Sequence, residues 1–150
     1  MDKPEKIMSP KEIFETLFDI TRVFTRYFSE QVEIGELKTV EFFIMLLVHF
    51  KGPKKMHELA EAFNMTRGNT TILVDNMEKL GYLRRERSRE DRRVVFVHIT
   101  KKGKKLCDDI VNSFGKIVAD FLNKVPKEDI EVVGDAFARL TRLFVSENGS

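Results

Sequence analysis

The apolar pattern of this chain changes period at Gly81, and few folds accommodate the change. Before it, between Met56 and Leu80, apolar residues recur every three or four positions in two short runs separated by Asn64-Met65. After it the residues alternate through Tyr82-Leu83-Arg84-Arg85-Glu86-Arg87, pass a polar tip from Ser88 to Arg92, and resume in Arg93-Val94-Val95-Phe96-Val97-His98-Ile99. The first spacing is that of a helix with one buried stripe, and strict alternation is that of a half-buried strand. The order therefore predicts two short helices joined by a tight turn and followed at once by a β-hairpin.

Longer helices flank this block. Ser9-Pro10-Lys11-Glu12 supplies an N-cap, a proline at the first helical position and the Glu of a capping box. Ile13, Phe14, Leu17, Ile20, Phe24, Tyr27 and Phe28 then mark a face meant for burial, up to a break at Gly35. From Lys38 to Phe50 the chain is apolar almost all round, as expected of a helix buried on most sides, and Lys51-Gly52-Pro53 stops it. A short helix from Met56 to Phe63 precedes one capped by Thr66 and ended by Gly81. Thr100 caps a long helix bearing Leu106, Ile110, Phe114, Ile117 and Phe121. A break near Val125-Pro126 opens the last helix, where Ile130, Val133, Phe137, Leu140 and Phe144 step by three and four as a packing seam.

Composition narrows the function. The 150 residues suit one domain or two small intertwined ones, and with 42% apolar and 33% charged residues the chain is too hydrophobic for disorder and too charged for a membrane protein. The apolar run Phe42 to Val48 is far shorter than the roughly 20 residues of a spanning helix. Met1-Asp2-Lys3-Pro4-Glu5-Lys6 lacks the basic and apolar regions of a secretory leader, so a cytoplasmic protein without membrane partners is expected. Cys107 stands alone, which excludes an intramolecular disulfide and a cysteine metal cluster. His57-Glu58 has Glu61 where a zinc-binding helix needs a second His. No phosphate-binding loop, nucleophile elbow or dinucleotide fingerprint occurs, so neither an enzyme nor a cofactor is expected.

The charge balance is uneven. Lys51 to Lys105 holds 15 Lys and Arg against 7 Asp and Glu, a local charge of +8, within a chain of net charge +2. Such a basic block between acidic arms is an electrostatic footprint for nucleic acid. On the helix after Thr66, the residues Thr70, Leu73, Val74, Met77 and Leu80 share the buried side, whereas Gly68, Thr71, Ile72, Asp75 and Lys79 share the other. Short hydrogen-bonding side chains in its first turn suit entry into a major groove. Six arginines lie among the ten residues from Arg84 to Arg93, and guanidinium groups on a thin ribbon suit phosphates and a narrow minor groove. Asp91 and Arg93, two apart and hence on one side of an extended strand, are placed to pair and aim the arginine.

Leu59-Ala60, the helix start Thr66 to Val74, Asp75-Asn76-Met77-Glu78-Lys79-Leu80-Gly81-Tyr82-Leu83, the wing Asp91-Arg92-Arg93 and Ile99-Thr100-Lys101-Lys102-Gly103 together resemble the MarR family of winged helix-turn-helix regulators. The resemblance implies a mainly α chain over residues 1–150, with a winged module at 37–100 carrying a two-stranded wing and dimerisation helices at 9–34 and 101–147. It implies a homodimer that binds a pseudo-palindrome of double-stranded DNA, usually as a repressor and often released by a small phenolic or aromatic ligand. The residues placed on DNA are Thr66, Arg67, Gly68, Asn69, Thr70 and Thr71 of the helix and Arg87, Arg89, Asp91, Arg92 and Arg93 of the wing. Cys107 does not match the cysteine near the chain start used by peroxide-sensing members, and reads as a packing residue. The competing reading is a protein-binding adaptor that reuses the winged fold without sequence-specific DNA binding, for which six wing arginines have no purpose.

Overall fold

In the computed structural model of the chain, residues 8–31 and 35–148 are described, with side chains except at 27–29, 31, 117, 121 and 146–148. The expected apolar positions Tyr27, Phe28, Ile117 and Phe121 thus lie outside the described side chains, as do residues 32–34 altogether. Helix α1 spans Pro10–Gln31, opened as expected by a capping box in which Ser9 N–H donates to Glu12 Oε2 (2.8 Å) and Glu12 N–H donates to Ser9 Oγ (3.2 Å). Helix α2 (Thr39–Lys51) and helix α3 (Met56–Ala62) follow, and between them Lys54–Lys55 forms a strand, β1. Helix α4 spans Arg67–Lys79, strands β2 and β3 span Leu83–Arg87 and Val95–Ile99, and helices α5 and α6 span Lys101–Leu122 and Lys127–Asn148.

The sheet has the order β1-β3-β2, antiparallel throughout, with Leu83 opposite Ile99 and Arg87 opposite Val95. The two-stranded wing is present as β2 and β3, and strand β1, which the sequence did not reveal, joins it as a third strand: Lys54 and Lys55 pair with Val97 and Phe96. The second hairpin strand begins two residues later than alternation suggests, because Arg93 belongs to a turn.

The chain divides into two compact units, Met1–Ile110 and Val111–Ser150. The core of the first is built from Ile44, Met45 and Val48 of α2, Leu59 of α3, Leu73, Val74 and Met77 of α4, Leu83 and Val97 of the sheet, and Cys107 and Ile110 of α5. Three helices and the sheet therefore bury one another around α4, which fixes that helix on three sides and leaves its fourth to solvent. Helix α2 is buried or half-buried on most sides, with one stripe left open. Val40, Phe43 and Phe50 are exposed on the single chain, while the buried positions include the carboxylate of Glu41.

The start of α5 is tied to the end of α4 by a compact knot. Gly81, at φ 81°, turns the chain out of α4 in a conformation that side chains disfavour. Thr100 Oγ1 donates to the Gly81 carbonyl (2.5 Å) and accepts the Gly103 N–H (3.1 Å). A Cβ on Gly103 would stand 2.4 Å from the Tyr82 carbonyl oxygen, so no larger residue fits without displacing backbone. Lys102 Nζ donates to the Leu80 carbonyl (2.6 Å) and lies over the Tyr82 ring, 4.5 Å from its centroid.

The faces of α1 and α6 differ from the module. Leu17, Phe14 and Phe18 on α1 and Val133, Phe137 and Leu140 on α6 are all exposed on the single chain. The seam expected on the last helix is present as a periodic face: Ile130 is half-buried, and Val133, Phe137, Leu140 and Phe144 are exposed on the single chain. No helix among the described residues is long and apolar enough to cross a membrane.

Candidate nucleic-acid interface

Thr66 starts α4 by accepting the Asn69 N–H on its Oγ1 (3.2 Å), so its hydroxyl serves the helix. Arg67, Gly68, Asn69, Thr71 and Ile72 follow on exposed positions, with the Thr71 hydroxyl donating to the Arg67 carbonyl (2.9 Å). Thr70 leaves the candidate set. Its side chain is 1% exposed and its hydroxyl donates to the Thr66 carbonyl (2.9 Å), so it belongs to the core and presents nothing to a groove.

Arg85 roots the wing against the same helix. Its guanidinium donates to Asp75 Oδ1 (2.5 Å) and the Thr71 carbonyl (3.4 Å), and its own N–H donates to Glu78 Oε2 (3.0 Å). Arg84 pairs with Glu86 (2.6 Å), whose carboxyl is held below the usual range first by that hydrogen bond and then by the Arg84 charge. With Arg93, which pairs with Asp91, three of the six arginines are engaged by carboxylates. Arg87, Arg89 and Arg92 are exposed, and no ion pair joins them to a described carboxylate.

The wing tip is a built turn. Ser88 Oγ accepts the Glu90 and Asp91 N–H groups (3.2 and 3.3 Å), and the Val94 N–H donates to the Asp91 carbonyl (2.9 Å). Asp91 Oδ1 accepts both the N–H and the Nε–H of Arg93 (3.0 and 3.2 Å), while Oδ2 accepts from Nη2 (3.3 Å). The pairing read from spacing is present, but its cause is different: Asp91 closes an Asx-type turn and does not share a strand face with Arg93. The side-chain and backbone hydrogen bonds from Arg93 hold the Asp91 carboxyl below its ordinary value. The Arg93 side chain nevertheless stays 92% exposed, oriented yet open to a ligand.

Arg93 and the helix start line one recess. Its volume is about 410 Å³, and it is lined by the polar residues Lys55, His57, Arg67, Thr71 and Arg93 and the apolar residues Met56, Val94 and Val95. Lys55 and His57 were not among the sequence candidates. Their only signal was the Lys54-Lys55 doublet beside the helix-turn-helix, because it is β1 that carries Lys55 to the wing. No group of three or more His, Cys, Asp or Glu suited to a metal ion occurs among the described residues.

Two comparisons fix the lineage. The sequence profile of the MarR family matches residues 37–95. The HTH-type transcriptional regulator YkoM of Bacillus subtilis is 32% identical over 107 residues, covering 67% of this chain and 70% of that protein. The chain belongs to the MarR family. A MarR-like transcriptional regulator from Thermotoga maritima superposes with a TM-score of 0.70 at 35% identity, covering 92% of this chain and 98% of that one. Streptococcus pneumoniae FabT, solved in complex with DNA, superposes with a TM-score of 0.68 at 25% identity, covering 91% and 95%. MarR-family membership makes this protein a transcriptional regulator of the winged helix-turn-helix class and not an enzyme. The family motif from Ile99 to Gly103 also gains a physical account here, as the contact that Gly103 alone permits against Tyr82.

Proposed function

We propose that this MarR-family chain is a repressor that binds a pseudo-palindromic operator as a homodimer. In this reading Arg67, Asn69 and Thr71 of α4 approach base edges in the major groove, Gly68 allows close approach, and Arg87, Arg89, Arg92 and Arg93 hold phosphates or the adjacent minor groove. Thr66 acts through its cap and Asp91 through its hold on Arg93. The observation that carries the reading is the recess that brings Arg67 and Thr71 of the helix together with Arg93 of the wing. The DNA complex of the relative FabT supports DNA as the ligand. The exposed apolar faces of α1 and α6 support a second copy of the chain as their cover.

Selection of bound duplexes from a random pool by the full-length protein tests this directly. Two inverted half-sites about one helical turn apart are expected. Recovery of no preferred sequence, with binding that varies only with salt, would show that the fold is used for something other than operator recognition.

A further inference from the structure

We propose that Ile72 is a specificity-determining residue that reads the 5-methyl group of a thymine in the major groove, an inference that rests on the DNA-binding reading above. The core side of α4 carries Thr70, Leu73, Val74 and Met77, so the residues directly opposite on the helix are Gly68, Ile72, Asp75 and Lys79. Ile72 stands at the middle of that line. At 65% exposure it is the most exposed large apolar side chain described between residues 37 and 100. Stability does not call for it there. A β-branched residue is a weaker helix former than alanine, and an isoleucine left mostly in water contributes little burial.

Its surroundings are shaped for a base edge flanked by phosphates. One turn earlier, a Cβ placed on Gly68 would meet nothing within 4 Å, so a base pair has an open approach to the helix beside Ile72. Ile72 lines a recess of about 360 Å³ as its one apolar residue, together with Lys38, Lys79, Asn76, Glu41 and Asp75. The two carboxylates nearby are already occupied: Asp75 accepts from Arg85 (2.5 Å), and buried Glu41 accepts from Asn76 Nδ2 (2.8 Å) and the Lys38 N–H (2.9 Å). An aliphatic side chain has no hydrogen bond to offer a groove. Among the four base edges, thymine alone presents an apolar group, its C5-methyl.

The test uses the half-site recovered by selection with the full-length protein. Each thymine is replaced in turn by deoxyuridine, which removes the methyl and keeps every hydrogen-bonding group, and affinities are measured at fixed salt for the wild type, Ile72→Ala and Ile72→Val. Circular dichroism checks that both variants keep the native helix content. The expected result is one thymine per half-site whose methyl loss weakens the wild type about fourfold, the ratio equivalent to ~0.8 kcal/mol for one buried methyl group. Ile72→Ala should be indifferent to that methyl, and Ile72→Val should keep part of the effect. If deoxyuridine weakens all three proteins equally at every position, or none of them, Ile72 does not read thymine although the protein still binds its operator. If selection returns no preferred duplex, the DNA-binding reading itself falls and this inference with it.

Discussion

Charge counting and geometry disagree at Asp91. Counting says that Asp91→Ala removes a negative charge from a DNA-binding wing and should tighten binding. Geometry says that Asp91 holds the Arg93 backbone and guanidinium in one turn, so the variant should bind operator more weakly than the wild type. Titration of operator and random duplexes at several salt concentrations decides between them. Arg89→Ala serves as the reference: an exposed arginine that neutralises one phosphate should weaken both duplexes alike and flatten the log-salt slope by about 0.9. Cys107 gives a prediction of another kind. Burial, aided by the Asp108 charge, pushes its thiol up to about 11, so at neutral pH it is a packing group without thiolate reactivity. In the unfolded chain the thiol ionises near its ordinary 9.0, while the folded chain holds its proton to about 11. Between those values the unfolded state binds fewer protons, so stability is lost as pH rises, by up to ~1.4 kcal/mol per pH unit. Urea unfolding from pH 8 to about pH 11 should show this slope in the wild type and a shallower one in Cys107→Ala.

Elements whose limits are set by neighbouring residues were legible in the sequence; those set by distant partners were not. The start of α1 at Ser9 and Glu12, the cap of α4 at Thr66 and the turn at Gly81 each depend on contacts within a few positions, and each stands where the sequence placed it. Strand β1 has two residues and no alternation to reveal it, because its partners Val97 and Phe96 lie some forty positions away. The six wing arginines look alike in one dimension. Only the folded register shows that Arg85 faces Asp75 across to α4 while Arg87 and Arg89 face water. Glu41 was hidden by the apolar run around it. In the fold its two oxygens accept from the Lys38 N–H and from Asn76 Nδ2, so one buried carboxylate both caps α2 and ties it to α4. Glu41→Ala leaves those two donors without their acceptor and should cost about 1–3 kcal/mol in urea unfolding. A double-mutant cycle with Asn76→Ala separates the tie from the cap: a coupling near zero would mean that the amide contributes nothing to holding α4 in place.

At the scale of the molecule, the first unit accounts for its own core, whereas α6 presents a face that its own chain leaves exposed. Phe137 and Leu140 are 58% and 46% exposed, three positions apart, within a face that repeats every three or four residues. Such regularity over a long helix signals packing against another helix, and the proposed partner is the same face or its neighbour on a second copy. In the proposed dimer, DNA affinity would be governed through linkage. Two modules so joined would meet a two-part operator with the second contact made intramolecularly, which would raise affinity by about 10²–10⁴ without any new contact to DNA. A small aromatic effector, where one binds, would act on the same linkage: it must favour a spacing of the modules that the operator rejects, and operator DNA must weaken its binding by the same factor. The double variant Phe137→Glu, Leu140→Glu places two charges on the proposed seam while touching nothing in the core of the first unit. The wild type should sediment as a dimer at micromolar concentration and the variant as a monomer of unchanged helix content. The variant should keep the wild type's affinity for a single half-site and lose about a hundredfold or more on the full operator. A wild type that sediments as a folded monomer, or a monomeric variant with full operator affinity, would remove the dimer from the account and leave one module acting alone.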